Sequence, residues 1–338
     1  MIVTLDLPND LRQAFAGKRI VIVGDLVADQ FLHGTISRVS REAPVFILRH
    51  EQTDTRAGAA ANAAVNVASL GGKPVLIGLA GADESGRSLI RYLENSSVDT
   101  GNVIVGPTGR TTTKVRVLAG HHYAARQQVI RIDYEQDEGI SPSTREDLVR
   151  NLIRASQDAD AIILSDYDYG VVDPRLFDAA LALSKERSVP LLIDSRSGLD
   201  RYRGATAATP NQEEAEKLIG SGVTSDKCEL LRERLETEIL LVTRGNQGML
   251  LFEKDRHPVE LAAVGSKEPV DVTGAGDTVI AAFALALAAN LEPPMAARIA
   301  NHAGGIVVMK KGTASVTIDE LVASLKTAEP PETFSSIA

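Results

Sequence analysis

Between about residue 140 and residue 245, short β-branched runs alternate with longer segments whose apolar residues recur at helical spacing. "ADAIILSD", "VPLLIDSR" and "TEILLVTRG" are separated by "PRLFDAALALSKE" and "NQEEAEKLIG". Strand and helix in strict alternation build parallel βαβ units, with helices on both faces of one sheet. The start of the chain repeats the order, with "KRIVIVGD", the Ala-rich "AANAAVNVASLGG" and "KPVLIGLAG". Both halves are therefore predicted to feed one doubly wound, mainly parallel sheet. Two stretches, residues 36–55 and 111–135, alternate apolar and polar positions as strands covered on one face only, and the second turns near Gly120. They are predicted to form a small antiparallel sheet beside the main one. No internal repeat or low-complexity linker interrupts the chain, and residues 326–338 read as a loosely held tail.

Composition narrows the function classes. With 338 residues, 44% hydrophobic and 24% charged, the sequence is that of a globular protein with a sizeable core. A net charge of -9 without a Lys/Arg block argues against a nucleic-acid partner, so any anionic ligand must be held locally. The single cysteine, Cys228, excludes an internal disulfide or a thiolate zinc site and reads as a spectator. The N-terminus lacks the order of a secretory signal, and the longest apolar run, Val279 to Ala289, is too short to span a bilayer. A cytoplasmic protein with no membrane partner is expected.

Candidate chemistry concentrates in "DVTGAGDT", residues 271–278, which runs straight into that apolar segment. Gly274 and Gly276 allow backbone N–H groups to converge on an anion, and the following helix adds its positive end. Asp277, in the first turn, would be a carboxylate able to accept a proton. Taken alone, the same residues also read as a capped helix end with glycines that merely pack. After the first strand, "GDLVADQF" supplies Asp25 and Asp29 where open α/β sheets bind ligands, and carboxylates there can accept hydrogen bonds from sugar hydroxyls. "RAGAAANAAVN" gives a small-residue turn at Gly58 and Ala59, then Asn62 at a helix start, so that backbone and amide can approach a polyol, or the alanines simply pack. Lys114, Arg116, Arg126 and Arg131 fall on the second lid stretch; they form either a grip for a phosphate or a solvated strand face. His121 and His122, adjacent at its tip, read as a solvated turn rather than a metal site.

"GDLVAD", "GAAAN", "TPNQEE" and "DVTGAGDT" stand in the order and spacing of the ribokinase-like (PfkB) sugar kinases, a resemblance running from about Lys18 to about Val316. "SRVSREAPV", "TTTKVRVL", "RQQVIRIDYE", "LSDYDYG" and "LVTRGNQGM" further resemble the kinase module that phosphorylates the anomeric hydroxyl of D-glycero-D-manno-heptose 7-phosphate. The resemblance implies an ATP- and Mg²⁺-dependent carbohydrate kinase with a three-layer α/β/α sandwich and a small β lid. It also implies one kinase domain over residues 1–325. The two amphipathic lid ribbons would leave one apolar face exposed in a monomer, so a homodimer whose lid strands pair between subunits is expected. Asp277 matches the family's base, and the N–H groups of Gly274, Ala275 and Gly276 match its anion hole. Asn211 and Glu214 match the ATP and Mg²⁺ neighbourhood, with Glu214 acting through metal-bound water. Thr243, Arg244 and Gly245 match nucleotide-phosphate contacts, and Asn301 lies near the base. Asp271, Thr273, Gly312 and Ser315 match a K⁺ site. The sugar site implied comprises Asp25, Asp29, Gly58, Ala59 and Asn62, with Lys114, Arg116 and Arg131 on a distal phosphate. Three departures stand out: Ala59 where the family has a second glycine, Tyr169 where it has lysine, and "DSR" where it has Pro-Lys, leaving Arg196 as the cation. A kinase of another sugar or a nucleoside, or a silent sugar or nucleotide sensor on the same fold, are the alternatives.

Overall fold

The computed structural model describes residues 7–106, 109–120, 126–135, 139–266 and 268–327. The helices are α1 (Leu7–Phe15), α2 (Ala60–Ser69), α3 (Glu84–Asn95), α4 (Pro142–Ala155), α5 (Pro174–Arg187), α6 (Gln212–Ile219), α7 (Ser225–Arg234), α8 (Ala275–Ala288), α9 (Pro293–Val307) and α10 (Ile318–Thr327). The strands are β1 (Arg19–Gly24), β2 (Leu26–Val39), β3 (Phe46–Ala59), β4 (Lys73–Gly81), β5 (Asp99–Gly106), β6 (Thr113–Gly120), β7 (Gln127–Tyr134), β8 (Ala161–Asp166), β9 (Leu191–Ser195), β10 (Ala207–Ala208), β11 (Ile239–Thr243), β12 (Met249–Glu253) and β13 (Val259–Leu261).

The main sheet runs β13-β12-β11-β10-β9-β8-β1-β4-β5. Only the β11–β12 and β12–β13 pairs are antiparallel. β1 lies inside the sheet, with Val21 opposite Val75 on one side and Ile162 on the other. Its residues divide by parity: Ile20 and Ile22 enter the core shared with α2, α8 and α9, whereas Val21 and Val23 enter the core shared with α4, α5 and α7. A strand buried on both faces reads as a continuous apolar run, as "RIVIVG" does. Several helices begin where the local chemistry dictates. Asp173 caps α5 by accepting from the Leu176 N–H, and Ser141 caps α4, each followed by proline at the first helical position.

Helix α8 has no polar face after its first turn. From Asp277 to Ala286 every residue is buried, and a helix apolar all round belongs inside. Its alanines pack against Ala60, Ala61, Ala63 and Ala64 of α2, and small side chains on both helices let the first turn of α8 come within reach of Asn62.

The second sheet, β3-β2-β6-β7, corrects the lid reading in two respects. It is mixed rather than antiparallel, because β2 and β6 pair in parallel, Asp29 opposite Lys114. Its first hairpin also reaches further than residues 36–55, since β2 starts at Leu26, directly after β1, and β3 continues to Ala59. Most of "GDLVAD", expected to follow the first strand at its C-terminal end, is thus itself the start of β2, with Asp29 inside it. At the chain end, Lys326 and Thr327 still belong to α10. The rest of the expected tail, and His121 and His122, lie outside the described residues. Among the described residues no helix is long and apolar enough to cross a membrane.

Candidate active site

The turn from Thr273 to Asp277 lines two cavities. One, of about 70 Å³, is also lined by Asp29, Gly58, Lys114 and Arg196 under the lid. The other, of about 170 Å³, opens toward Thr243, Gly245 and Asn301 and is lined by Ala275 and Gly276 of the turn. Asp277 is buried, and both its oxygens are held: Oδ2 accepts from Asn62 Nδ2 at 2.8 Å and Oδ1 from the Tyr167 hydroxyl at 2.7 Å. Burial pushes its carboxyl up to about 6, against the pull of these two hydrogen bonds. Gly274 adopts φ +78°, and a Cβ there would lie 2.5 Å from Asn62 Nδ2, so both the backbone and the space require glycine. The Ala275 N–H is taken by the Val272 carbonyl at 3.2 Å. Among the described residues the N–H groups of Gly274, Gly276 and Asp277 make no hydrogen bond, as befits a helix start, which sets them apart from the Ala275 N–H.

On the lid side the expected residues separate into two groups. Asp29 faces the smaller cavity, with Arg116 ion-paired to one oxygen and the Thr313 hydroxyl on the other at 2.8 Å. Gly58 is needed beside it, since a Cβ would approach Asp29 Oδ2 to 2.9 Å. Ala59 adopts φ 56°, ψ -136°, a backbone that suits glycine. Asp25, expected beside Asp29 as a sugar ligand, instead accepts the N–H groups of Tyr167, Tyr169 and Val171 at 2.8, 3.1 and 3.1 Å. It fixes the loop after β8 that carries Tyr167, and burial pushes it up to about 6 despite those three donors. Lys114 lines the smaller cavity, whereas Arg131 is half-exposed and paired with Asp133 at 2.9 and 3.0 Å. Arg126 is paired with Glu51 along a wider, 1020 Å³ cleft under the lid.

On the other side, Asn211 and Glu214 form a capping box at the start of α6: Asn211 Oδ1 accepts from the Glu214 N–H at 2.9 Å, and Glu214 Oε2 from the Asn211 N–H at 2.8 Å. An isolated parallel bridge joins Asn211 to Thr243. Asp194, at the end of β9, is pushed well above the carboxylate range by burial and then by the charges of Asp277 and Glu214, which places three acids in one neighbourhood. Gly245 lines the larger of the two cavities, and Arg244 beside it is ion-paired with Glu260. Asn301 also lines that cavity, and its Nδ2 donates to the Ala262 carbonyl at 2.7 Å. Asp271 accepts the N–H groups of Thr273 and Gly312 at 3.0 and 2.9 Å, and the Ser315 carbonyl accepts from Lys310 Nζ at 2.7 Å.

Sequence reasoning passes over Tyr167, Asp194 and Thr313. Tyr167 stands in plain view in "SDYDYG", but nothing local indicates that its hydroxyl turns toward a carboxylate 110 positions away.

A doubly wound α/β core with a β lid, and a glycine turn set between two cavities, defines the ribokinase-like fold. Solved structures of that fold agree. Ribokinase from Arabidopsis thaliana, in complex with ribose and ATP, superposes with a TM-score of 0.70 at 21% identity, covering 92% of this chain and 100% of its own. Phosphofructokinase-2 from Escherichia coli, in complex with potassium, gives a TM-score of 0.73 at 18% identity, covering 92% and 99%. The chain belongs to the pfkB family of carbohydrate kinases, whose family model matches residues 18–320. It is 41% identical over 315 residues to the bifunctional protein HldE of Hahella chejuensis, spanning 91% of this chain and 63% of that protein's length.

Proposed function

We propose that this chain transfers the γ-phosphoryl group of ATP to a hydroxyl of a sugar phosphate, with the anomeric hydroxyl of D-glycero-D-manno-heptose 7-phosphate as acceptor. The observation that carries this reading is the turn shared by two cavities: Asp277 lines the pocket under the lid, and Gly276 lines the cleft toward Asn301. The acceptor O–H gives its proton to Asp277 as the new O–P bond forms; the bond from Pγ to the β-phosphate oxygen breaks, and ADP leaves. Charge on the transferred group meets the unbonded N–H groups of Gly274, Gly276 and Asp277. Asn62 and Tyr167 hold the base in place. The likeness to HldE and the resemblance to the heptose 7-phosphate module favour that acceptor.

Mg²⁺ fits the donor set. Asp194 and Glu214 are both raised by burial and close enough to repel, a situation a hard dication relieves. Among the described residues no group of three or more acidic, His or Cys side chains could hold a metal, so phosphate oxygens and water would complete the shell. When bound, the ion neutralises charge on the phosphates. Potassium would meet the Ser315 carbonyl and the Asp271 carboxylate, whose oxygens each accept one N–H donor and keep a further lone pair, and no step relies on it.

The lid favours a homodimer. All of β7 is exposed, including Val129, Ile130 and Ile132, and covering such an edge with a second copy removes an apolar face from water. A monomer mass at micromolar concentration would exclude it. One kinase domain over residues 1–325 and a cytoplasmic location complete the reading. The test is ADP release with heptose 7-phosphate, free heptose, ribose, fructose and a nucleoside. The highest kcat/KM is expected for heptose 7-phosphate. Preference for another acceptor would redirect the substrate, and no turnover with any would leave a silent sensor.

A further inference from the structure

Asp166, the last residue of β8, is 1% exposed and lines neither of the two cavities at the glycine turn. Its carboxylate nevertheless collects four donors. Oδ1 accepts the Asp168 N–H at 3.0 Å, and Oδ2 accepts the Ser195 hydroxyl at 3.1 Å, Arg201 Nη2 at 2.9 Å and the Tyr202 hydroxyl at 2.6 Å. A buried acid satisfied in this way fixes the groups that satisfy it. The first donor belongs to the loop after β8, and the other three come from residues 195–202, at and beyond the end of β9. The Arg196 N–H reaches the Asp166 carbonyl at 3.1 Å, and the Ser197 hydroxyl reaches Asp168 Oδ2 at 2.6 Å, so the two loops are stitched together at several points.

The stitched loops meet at Tyr167. Its N–H goes to Asp25, as do those of Tyr169 and Val171, whereas the Asp168 N–H goes to Asp166; two buried acids at the ends of adjacent strands thus divide the loop's donors. The loop depends on such anchors, because Asp168 adopts φ 64°, a left-handed backbone that a non-glycine residue keeps only under constraint. Arg196 rests over the Tyr167 ring at 4.6 Å, and the Tyr167 hydroxyl donates to Asp277 at 2.7 Å. Asp166 therefore bears on the base by two routes, through the backbone turn beside Tyr167 and through the arginine on its ring.

We propose that Asp166 is a positioning residue for phosphoryl transfer: it locks the loops after β8 and β9 together so that Tyr167 keeps its hydroxyl on Asp277. The inference rests on the kinase reading given above. Asparagine at this position would keep the shape but offer one acceptor oxygen instead of two, turning its NH2 group toward donors that the carboxylate had accepted.

The test is the pH dependence of kcat for the full chain, with ATP and heptose 7-phosphate or whichever acceptor of the series above is turned over best. Asp166→Asn is compared in the wild-type and Tyr167→Phe backgrounds. Asn62, Tyr167, Asp29, Arg196 and Asp194 all bear on Asp277, and of these only Tyr167 and Arg196 belong to the loops that Asp166 joins. Both favour the carboxylate, so displacing them raises the pH at which activity is lost on acidification. In the wild-type background the acid limb should move up by about 0.5 pH unit or more. Where Tyr167→Phe has already removed the hydroxyl, it should move by about half as much or less, because the two changes share one path to the base. A limb that stays in place, or one that moves equally in both backgrounds, would overturn the proposal; an acid of merely structural importance lowers stability and leaves the limb where it was. Should Asp166→Asn fail to fold, Tyr202→Phe removes one donor and keeps the carboxylate, and the same comparison decides. A wild type inactive with every acceptor overturns the kinase reading and this role with it, whereas an active wild type with an unmoved limb overturns only this role.

Discussion

On the Asn301 side of Asp277 much of the wall is backbone: Gly245, Gly248, Gly276, Gly304 and Gly305 line an otherwise largely apolar cleft. On the lid side side chains predominate, among them Asp29 from β2, Lys114 and Arg116 from β6, Tyr167 and Arg196 from two loops, and Thr313 from near the chain end. The two sides also differ in how charge is handled. The first relies on N–H dipoles at a helix start, which need no partner to stay in place. The second holds ionised groups that must be matched, as Arg116 matches Asp29. A cleft built from backbone asks for shape, whereas a pocket built from paired charges discriminates, because a wrong ligand leaves a charge unmet.

The substitution with the largest expected effect lies on the boundary. Asp277→Asn should lower kcat by about 10²- to 10⁴-fold while ATP affinity stays within a few-fold. Near-normal turnover at saturating acceptor would remove the base. Next come the two glycines of the turn, which should part company. Gly274→Ala combines a positive φ with a methyl 2.5 Å from Asn62, and about 2 kcal/mol of stability should go with it, read by denaturant unfolding. Gly276→Ala meets nothing within 4 Å, so its stability should stay within about 0.5 kcal/mol of wild type while the KM for ATP rises. Equal destabilisation would show that the turn is structural throughout.

Tyr167→Phe removes one of the two hydrogen bonds that pull Asp277 down from its buried value. Activity requires the carboxylate, so it is present above the pKa, near about 6 in the intact site, and lost as pH falls through it. Without the hydroxyl that acid limb should move up by about 0.5–1 pH unit, with kcat at about pH 8 within a few-fold of wild type. An unmoved limb would mean that Tyr167 only walls the pocket. The smallest effect is expected at Ala59, whose φ of 56° and ψ of -136° suit glycine. Ala59→Gly should raise stability by about 1 kcal/mol, the strain relieved less the added freedom of the unfolded chain. A loss of stability would show that the methyl packs usefully against the pocket.

Periodicity and short-range chemistry make much of the molecule legible in the chain itself. The parallel sheet follows from β-branched runs between helical segments, and α8 from an apolar stretch too short for a membrane. The glycine turn follows from glycines adjacent to the carboxylate, because its free N–H groups are the backbone of neighbouring residues. The lid is legible as strands but not as a mixed sheet, since the β2–β6 pairing joins segments more than eighty residues apart and leaves no local mark. The pocket under the lid is legible only as a set of charges. Asp25 and Asp29 stand four residues apart and look equivalent, yet one faces a loop of backbone donors and the other the pocket. Lys114, Arg116 and Arg131 look alike on a strand, yet the first is left over because the other two reach the acids beside it. Which charge meets which depends on register, on the direction of each side chain and on what its neighbours have already taken. Those are properties of packed elements, and residues adjacent in the chain do not carry them.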